Sequence, residues 1–138
     1  MLPAWVNRYV GIPFADQGFD ERGCHCWGLV RLVYLRERGI TLPTYGELSA
    51  RELAAAAGVI YSESCAGPWR EVTNGRAVFD VVLMAGRIDG GWRADIHVGV
   101  LASPGHVLHV ERSTAAVVLP LEHPTIRFRL RATFRHNG

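Results

Sequence analysis

Hydrophobic positions follow two different rhythms along this chain. From Cys26 the apolar residues Leu29, Val30, Val33 and Tyr34 recur at helical spacing, which predicts a helix running to Arg38. Gly39 suits the residue just past its end, and "TLP" then stops the element. A second helix is expected over "SARELAAAAG", where Ser49 and Glu52 have capping-box spacing and Gly58 closes an alanine run. Before the first helix, "FADQGFDERG" reads as a polar loop, and residues 61–76 read as irregular. From there the rhythm changes to short β-like runs: "VFDVVLMA", "IHVGVLA", "HVLHVER", "AAVVLPL" and "RFRLRATF". Tight connections such as "SPG" predict an antiparallel meander. Helices first and strands afterwards point to an α+β fold, expected here as a single domain over residues 1–138.

In "IRFRLRATFRH", Arg127, Arg129 and Arg131 alternate with Phe128, Leu130 and Ala132. That alternation predicts a half-buried strand with a basic outer face, either solvated or used to dock a partner. Over 138 residues with 49% hydrophobic content, the chain is long enough to bury a core. A net charge of +2 is too small for a nucleic-acid partner, which would call for clustered Lys and Arg on one face. No apolar run approaches the ~20 residues that span a bilayer, so no membrane insertion is expected. The opening "MLPAWVNRYVGIPF" lacks a basic segment followed by an apolar one. No signal peptide is expected, and the protein should be made in a cytoplasm.

Three cysteines do not make a disulfide framework. Cys24 and Cys26 flank His25 in "GCHCWGLV", with one residue between the thiols where structural zinc favours two to four. Only Cys65 adds another thiol, so no metal and no cofactor is expected. A disulfide between Cys24 and Cys26 would close a small strained ring. Cys26 fits a nucleophile better, because it stands where a Gly-rich loop enters a helix and free N–H groups favour a thiolate. Trp27 supplies bulk beside it, and Gly28 leaves room for close backbone approach.

A nucleophile needs a base. "DIHVGVLASPGHVLHVER" reads as a hairpin turning at Ser103-Pro104-Gly105. Centred near Ser103, the pairing sets His97 opposite His109, with Cβ atoms ~5 Å apart on one face. Gly99, Leu101, Val107 and Glu111 share that face, whereas Val98, Val100, Leu108 and Val110 point into the core. His106 falls on the other face from His109. His97 can then take the thiol proton while His109 orients its ring, the nucleophile–base–orienter logic of covalent catalysis.

"YVGIPF", "GCHCWGLVRLVYLRERGITLP", "DVVLM" and "IHVGVLASPGHVLHV", spread between Tyr9 and His109, together resemble the NlpC/P60 papain-like cysteine peptidases of bacterial cell walls. The resemblance implies a papain-like fold with N-terminal helices packed on an antiparallel β-sheet. It implies Cys26 as nucleophile, His97 as base and His109 as orienting residue. It also implies peptidoglycan stem peptides as substrate, often cut at a D-glutamyl–diaminopimelate bond. The short form looks most similar to members encoded with phage-tail and gene-transfer-agent genes. That similarity implies tail-hub or baseplate proteins as partners, and action at the tail tip in a target cell's periplasm. Four positions stand beside the motif: His25 replaces the usual Asp, Phe14 replaces a Tyr whose hydroxyl helps the oxyanion, Phe79 replaces Gly, and Asp80 is kept. These departures admit an alternative, a catalytically weak or silent structural subunit of a tail hub. A third reading is another acyl-transfer enzyme of the same superfamily, such as an amidase or a lipid-modifying acyltransferase.

Overall fold

A computed structural model describes residues 2–15, 18–43, 68–85, 96–111 and 114–138. A short 3-10 helix, η1 (Ala4–Arg8), opens the chain, followed by two-residue strands β1 (Phe19–Asp20) and β2 (Gly23–Cys24). Helix α1 (Cys26–Arg38) comes next, then β3 (Trp69–Glu71), β4 (Val81–Ala85), β5 (Ile96–Ser103), β6 (His106–His109) and β7 (Val117–Pro120). A single-turn helix, α2 (Pro124–Arg127), precedes the last strand, β8 (Leu130–His136).

The expected helix over Cys26–Arg38 forms at those bounds. It forms because Trp27, Leu29, Val30, Val33 and Tyr34 are all buried on it, each contributing about 1.5–3 kcal/mol of transfer free energy in the usual range for large apolar side chains. Gly39 ends it in the left-handed region at φ 65°, a conformation that costs glycine nothing. The N–H groups of Gly39 and Ile40 then satisfy the carbonyls of Leu35 and Tyr34. Arg36 and Arg38 in the last turn complement the negative end of the helix. The second expected helix, Ser49 to Gly58, and Cys65 lie outside the described residues.

Six strands form one antiparallel sheet in the order β3-β8-β4-β5-β6-β7. β4 to β7 are the expected meander, but β8 does not extend it: β8 returns to pair between β4 and β3. Part of the stretch expected to be irregular is strand, since Trp69, Arg70 and Glu71 pair with His136, Arg135 and Phe134. The polar loop before α1 also carries structure, as Phe19 and Asp20 pair with Cys24 and Gly23. β8 begins at Leu130, so Arg127 belongs to α2 and Arg129 to the turn behind it. The alternation of Arg127, Arg129 and Arg131 therefore does not mark one strand face.

The sheet separates two cores. On one side α1 packs with Val81, Leu83, Val98, Val100, Leu108, Val110 and Phe134. On the other, Val82, Met84, Leu101 and Val107 pack with Leu121 and Ile126, the last from α2. The inward set expected on the hairpin, Val98, Val100, Leu108 and Val110, is the set that meets the helix. Among the described residues no helix is long and apolar enough to cross a membrane.

Phe79, which takes the place of a glycine in the sequence motif, adopts a glycine-like backbone with φ 72°. Its N–H donates to Leu101 O at 2.9 Å, and the Tyr34 hydroxyl donates to its carbonyl. Its ring stacks on Trp5 at 5.0 Å between centroids. These contacts offset a left-handed cost of roughly 1–2 kcal/mol for a residue with a Cβ. Phe79→Gly and Phe79→Ala both lose the stacking, but only Gly relieves the backbone. Urea denaturation should therefore find Phe79→Gly more stable than Phe79→Ala by about 1 kcal/mol; equal stabilities would mean that the backbone at 79 carries no strain.

Candidate active site

Cys26 is the first residue of α1, and His25 is its N-cap. The helix start is fixed by close backbone packing. A Cβ on Gly28 would lie 1.9 Å from Gly18 O, so only glycine lets that loop dock against the first turn. Gly18 O also accepts from the His25 backbone N–H at 3.1 Å and sits 2.9 Å from His25 Nδ1. As a carbonyl can only accept, Nδ1 carries the proton. His25, in place of the expected acid, therefore ties the loop to the helix start. Phe14 forms an isolated parallel bridge to Cys24 and packs against the core. Trp27 is 1% exposed and donates its indole N–H to Pro43 O at 2.9 Å; it is a core residue and not part of an open substrate face.

The two thiols differ. Cys24 is fully buried, its Sγ pointing to Asp20 O at 3.3 Å, and desolvation pushes its pKa up to about 11. Cys26 is half-buried, and its sulfur is approached by the backbone N–H of Val98, the residue next to His97. The helix start was expected to favour a thiolate. The N–H groups of Val98, Trp27 and Cys26 do pull in that direction, but burial outweighs them and the negative charge of Glu111 adds to it, so the pKa is raised. The resting sulfur is a neutral thiol.

His97 and His109 are 7% and 2% exposed, and His97 Nε2 lies 2.9 Å from His109 Nδ1. The rings meet edge to face at 5.1 Å between centroids. Their register differs from the expected one. Val100 pairs with Leu108 and Leu101 with Val107, with an irregularity before Ser103↔His106. Continued outward, this ladder sets Gly99 opposite His109 and His97 opposite Glu111, so the two histidines are diagonal neighbours. They meet because Gly99 has no side chain: a Cβ there would lie 2.6 Å from Val107 Cγ2 and 3.1 Å from His109 Cβ. His106 stays apart, bonded to Ser103 Oγ at 2.8 Å.

Two residues that the sequence did not single out complete the cluster. Glu111 Oε1 is 3.8 Å from His97 Nε2 and 2.5 Å from Arg129 Nη2. Arg129, expected on a basic outer face, is instead anchored inward, with Nε donating to Ala85 O at 2.8 Å and Nη1 to Thr125 O at 3.2 Å. Sharing a strand face with both histidines was the available signal for Glu111; Arg129 had none. Ligand atoms of His97, His109 and Glu111 lie within 4.8 Å of one another, close enough for a metal ion. The Arg129 guanidinium already neutralises that carboxylate, and its positive charge opposes a second cation there. The four side chains are accordingly read as a proton-handling network.

Asp80 stands elsewhere. It is 1% exposed and accepts from Arg135 Nε and Nη2, both at 2.8 Å, and from the Ala77 N–H at 2.9 Å. Its carbonyl accepts from the Leu101 N–H, four residues along β5 from His97, or about 13 Å at strand rise. Asp80 holds the start of β4 and does not reach the Cys26 region.

Burial lowers the pKa of His97 well below 6.5, helped by His109 and Arg129, and lowers that of His109, against the pull of Glu111. Both rings are therefore neutral when folded at neutral pH. Unfolded histidines take up protons first as pH falls, so folding stability should be full above about 6.5 and lost below it, toward the folded pKa values. The slope should reach about 1.4 kcal/mol per pH unit for each ring, read by denaturant unfolding between about pH 8 and 5. His109→Asn should flatten that slope; an unchanged slope would exclude His109 as its source. Gly99→Ala should lower the melting temperature by several degrees, as expected for overpacking of about 1–3 kcal/mol, and should perturb the His97 and His109 ring signals in NMR spectra.

No protein-family model and no curated protein matches this sequence. Solved structures do. The chain is similar to the NlpC/p60 domain of the peptidoglycan hydrolase SagA, with TM-score 0.60, 22% identity and coverage of 96% of this chain and 93% of that one. It is similar to an NlpC/P60 family protein from Bacillus cereus ATCC 10987, with TM-score 0.59, 19% identity and coverage of 100% and 42%. A third match is a lipoprotein-like NLP/P60 family protein from Staphylococcus aureus subsp. aureus Mu50, with TM-score 0.65, 16% identity and coverage of 96% and 39%. The chain thus spans less than half the length of the last two. Its fold, α+β with a helix on an antiparallel sheet, is that of NlpC/P60 domains.

Proposed function

We propose that this protein is a cysteine peptidase that hydrolyses peptide bonds in peptidoglycan stems. The observation that carries the reading is the 2.9 Å contact between His97 Nε2 and His109 Nδ1, with His97 one residue along β5 from Val98, whose N–H approaches the Cys26 sulfur. With Nε2 engaged, Nδ1 is the nitrogen left to take the Cys26 proton. The thiolate then attacks the scissile carbonyl, and the Cys26 backbone N–H at the free helix end faces the developing oxyanion. His97 returns its proton to the leaving amine as the C–N bond breaks, leaving a thioester. Water, deprotonated by His97, attacks the thioester; the carboxylate leaves, and the proton returns to sulfur. Phe14 has no hydroxyl to offer the oxyanion, and one missing donor costs about 10²–10³ in rate, so turnover should be slow.

Three things support this reading: the fold shared with the peptidoglycan hydrolase domain, the sequence motif, and the partnership of the two histidines. Cleavage at a D-glutamyl–diaminopimelate bond, and action from a phage-like tail tip or baseplate in a target periplasm, extend it on the sequence resemblance alone. Purified protein incubated with muropeptides should release fragments detectable by mass, and Cys26→Ala should abolish the release. Cleavage that survives Cys26→Ala would sink the mechanism. No cleavage by the wild type would favour the alternative of a catalytically silent hub subunit.

A further inference from the structure

We infer that Glu111, clamped by Arg129, is a positioning residue that decides which ring nitrogen of His97 carries the proton. The inference rests on the reading of Cys26 and His97 as thiol and base. The 2.9 Å contact between His97 Nε2 and His109 Nδ1 holds one proton when both rings are neutral. If His109 donates it, His97 must carry its own proton on Nδ1 and cannot accept one from Cys26. If His97 donates it, Nδ1 is bare and productive, but His109 then needs a proton on Nε2, a buried atom with no hydrogen-bond partner among the described residues. A buried N–H without an acceptor is the rarer and costlier state. The histidine pair alone therefore does not select the productive tautomer.

Glu111 does. Its Oε1 is 3.8 Å from His97 Nε2, too far for a hydrogen bond but close enough for charge to act in a dry site. A bare Nε2 lone pair faces that oxygen unfavourably, whereas an Nε2–H bond points its positive end toward it. The same charge stabilises the imidazolium formed when Cys26 gives up its proton. Arg129 holds the carboxylate at this station through Nη2 at 2.5 Å, its own position fixed by Ala85 O and Thr125 O. It also tempers the negative charge: Arg129 lowers the pKa of both histidines, while Glu111 raises that of His109. Among the described residues, Cys26 at the start of α1 feels the charge of Glu111, and His123 ahead of α2 acts on His109.

The test is long-range ¹H–¹⁵N NMR on histidine-labelled protein, which reads tautomer and titration without relying on activity. Wild-type His97 should be protonated on Nε2 at neutral pH. Glu111→Gln should shift it toward the Nδ1–H form and move its titration to lower pH. Arg129→Met, which removes the opposing charge, should move that titration to higher pH and keep the Nε2–H form. In muropeptide cleavage, Glu111→Gln should lower kcat by about 10- to 100-fold with KM little changed, and Glu111→Asp should recover part of it. An unchanged His97 tautomer in Glu111→Gln, or titration shifts of the same sign in both variants, would overturn the inference. If Glu111→Gln does not fold, Arg129→Met alone decides through the sign of its shift. A wild type that shows these NMR responses but cleaves nothing would refute the peptidase reading and leave the assignment of Glu111 standing.

Discussion

Two neutral imidazoles meeting across a residue with no side chain is the constraint on which the rest of the site depends. His97 and His109 are diagonal neighbours on one sheet face with Nε2 and Nδ1 2.9 Å apart, and a Cβ on Gly99 between them would crowd Val107, the Leu108 carbonyl and His109 Cβ. Both are almost fully buried, so neither can hold a charge cheaply. A buried polar pair is stabilised by hydrogen bonding within it. This pair shares one proton, with Glu111 and Arg129 supplying compensating charges at its edge. That economy gives the site its chemical character. It is neutral at rest, it is poised for one proton to move, and acid should be its weakness.

The thiol is set beside β5 by the packing of α1. α1 lies on the sheet through Val30, Val33 and Tyr34, against Val98, Val100 and Leu108. Its first turn is set by the Gly18 carbonyl, which fills the space above Gly28. With both ends of the helix fixed, the Cys26 sulfur meets the Val98 N–H, beside His97. The same core that buries Trp27 and Cys24 therefore aligns Cys26. Cys24, two residues earlier and fully buried, has its pKa raised by desolvation.

Most of this was legible wherever periodicity and burial agree. The helix from Cys26 to Arg38 and the inward face of the β5–β6 hairpin follow from apolar spacing alone, because a large buried side chain outweighs any local preference. The hairpin register was not legible, because the turn closes at Pro104-Gly105 between Ser103 and His106 and a one-residue irregularity follows, which together leave the pairing two residues from the expected one. A shift of two keeps every side chain on its expected face, so the histidines still met, with Glu111 now in reach. The arginines misled for the opposite reason. Arg127 and Arg129 alternate with apolar residues as a strand would, yet Pro124 starts a helical turn there and turns Arg129 inward. Asp80 carries a motif position, but its charge is taken up by Arg135 from a strand paired far away in sequence. No local pattern encodes that partnership.

The departures from the family motif bear on what this site can still do. Among the described residues, neither His25 nor Phe79 leaves a buried polar group without a partner at its position. The Nδ1–H and the backbone N–H of His25 both meet Gly18 O. Phe79 adopts the conformation of the glycine it replaces, supported by Trp5, Tyr34 and Leu101. Both substitutions are absorbed by the scaffold before they reach the sulfur or the imidazoles. Phe14 is different, because the chemistry it lacks is a donor and not a shape. For the peptidase proposed above, a weaker oxyanion cradle predicts slow turnover. Slowness of that kind resides in the transition state, so it should lower kcat and spare binding.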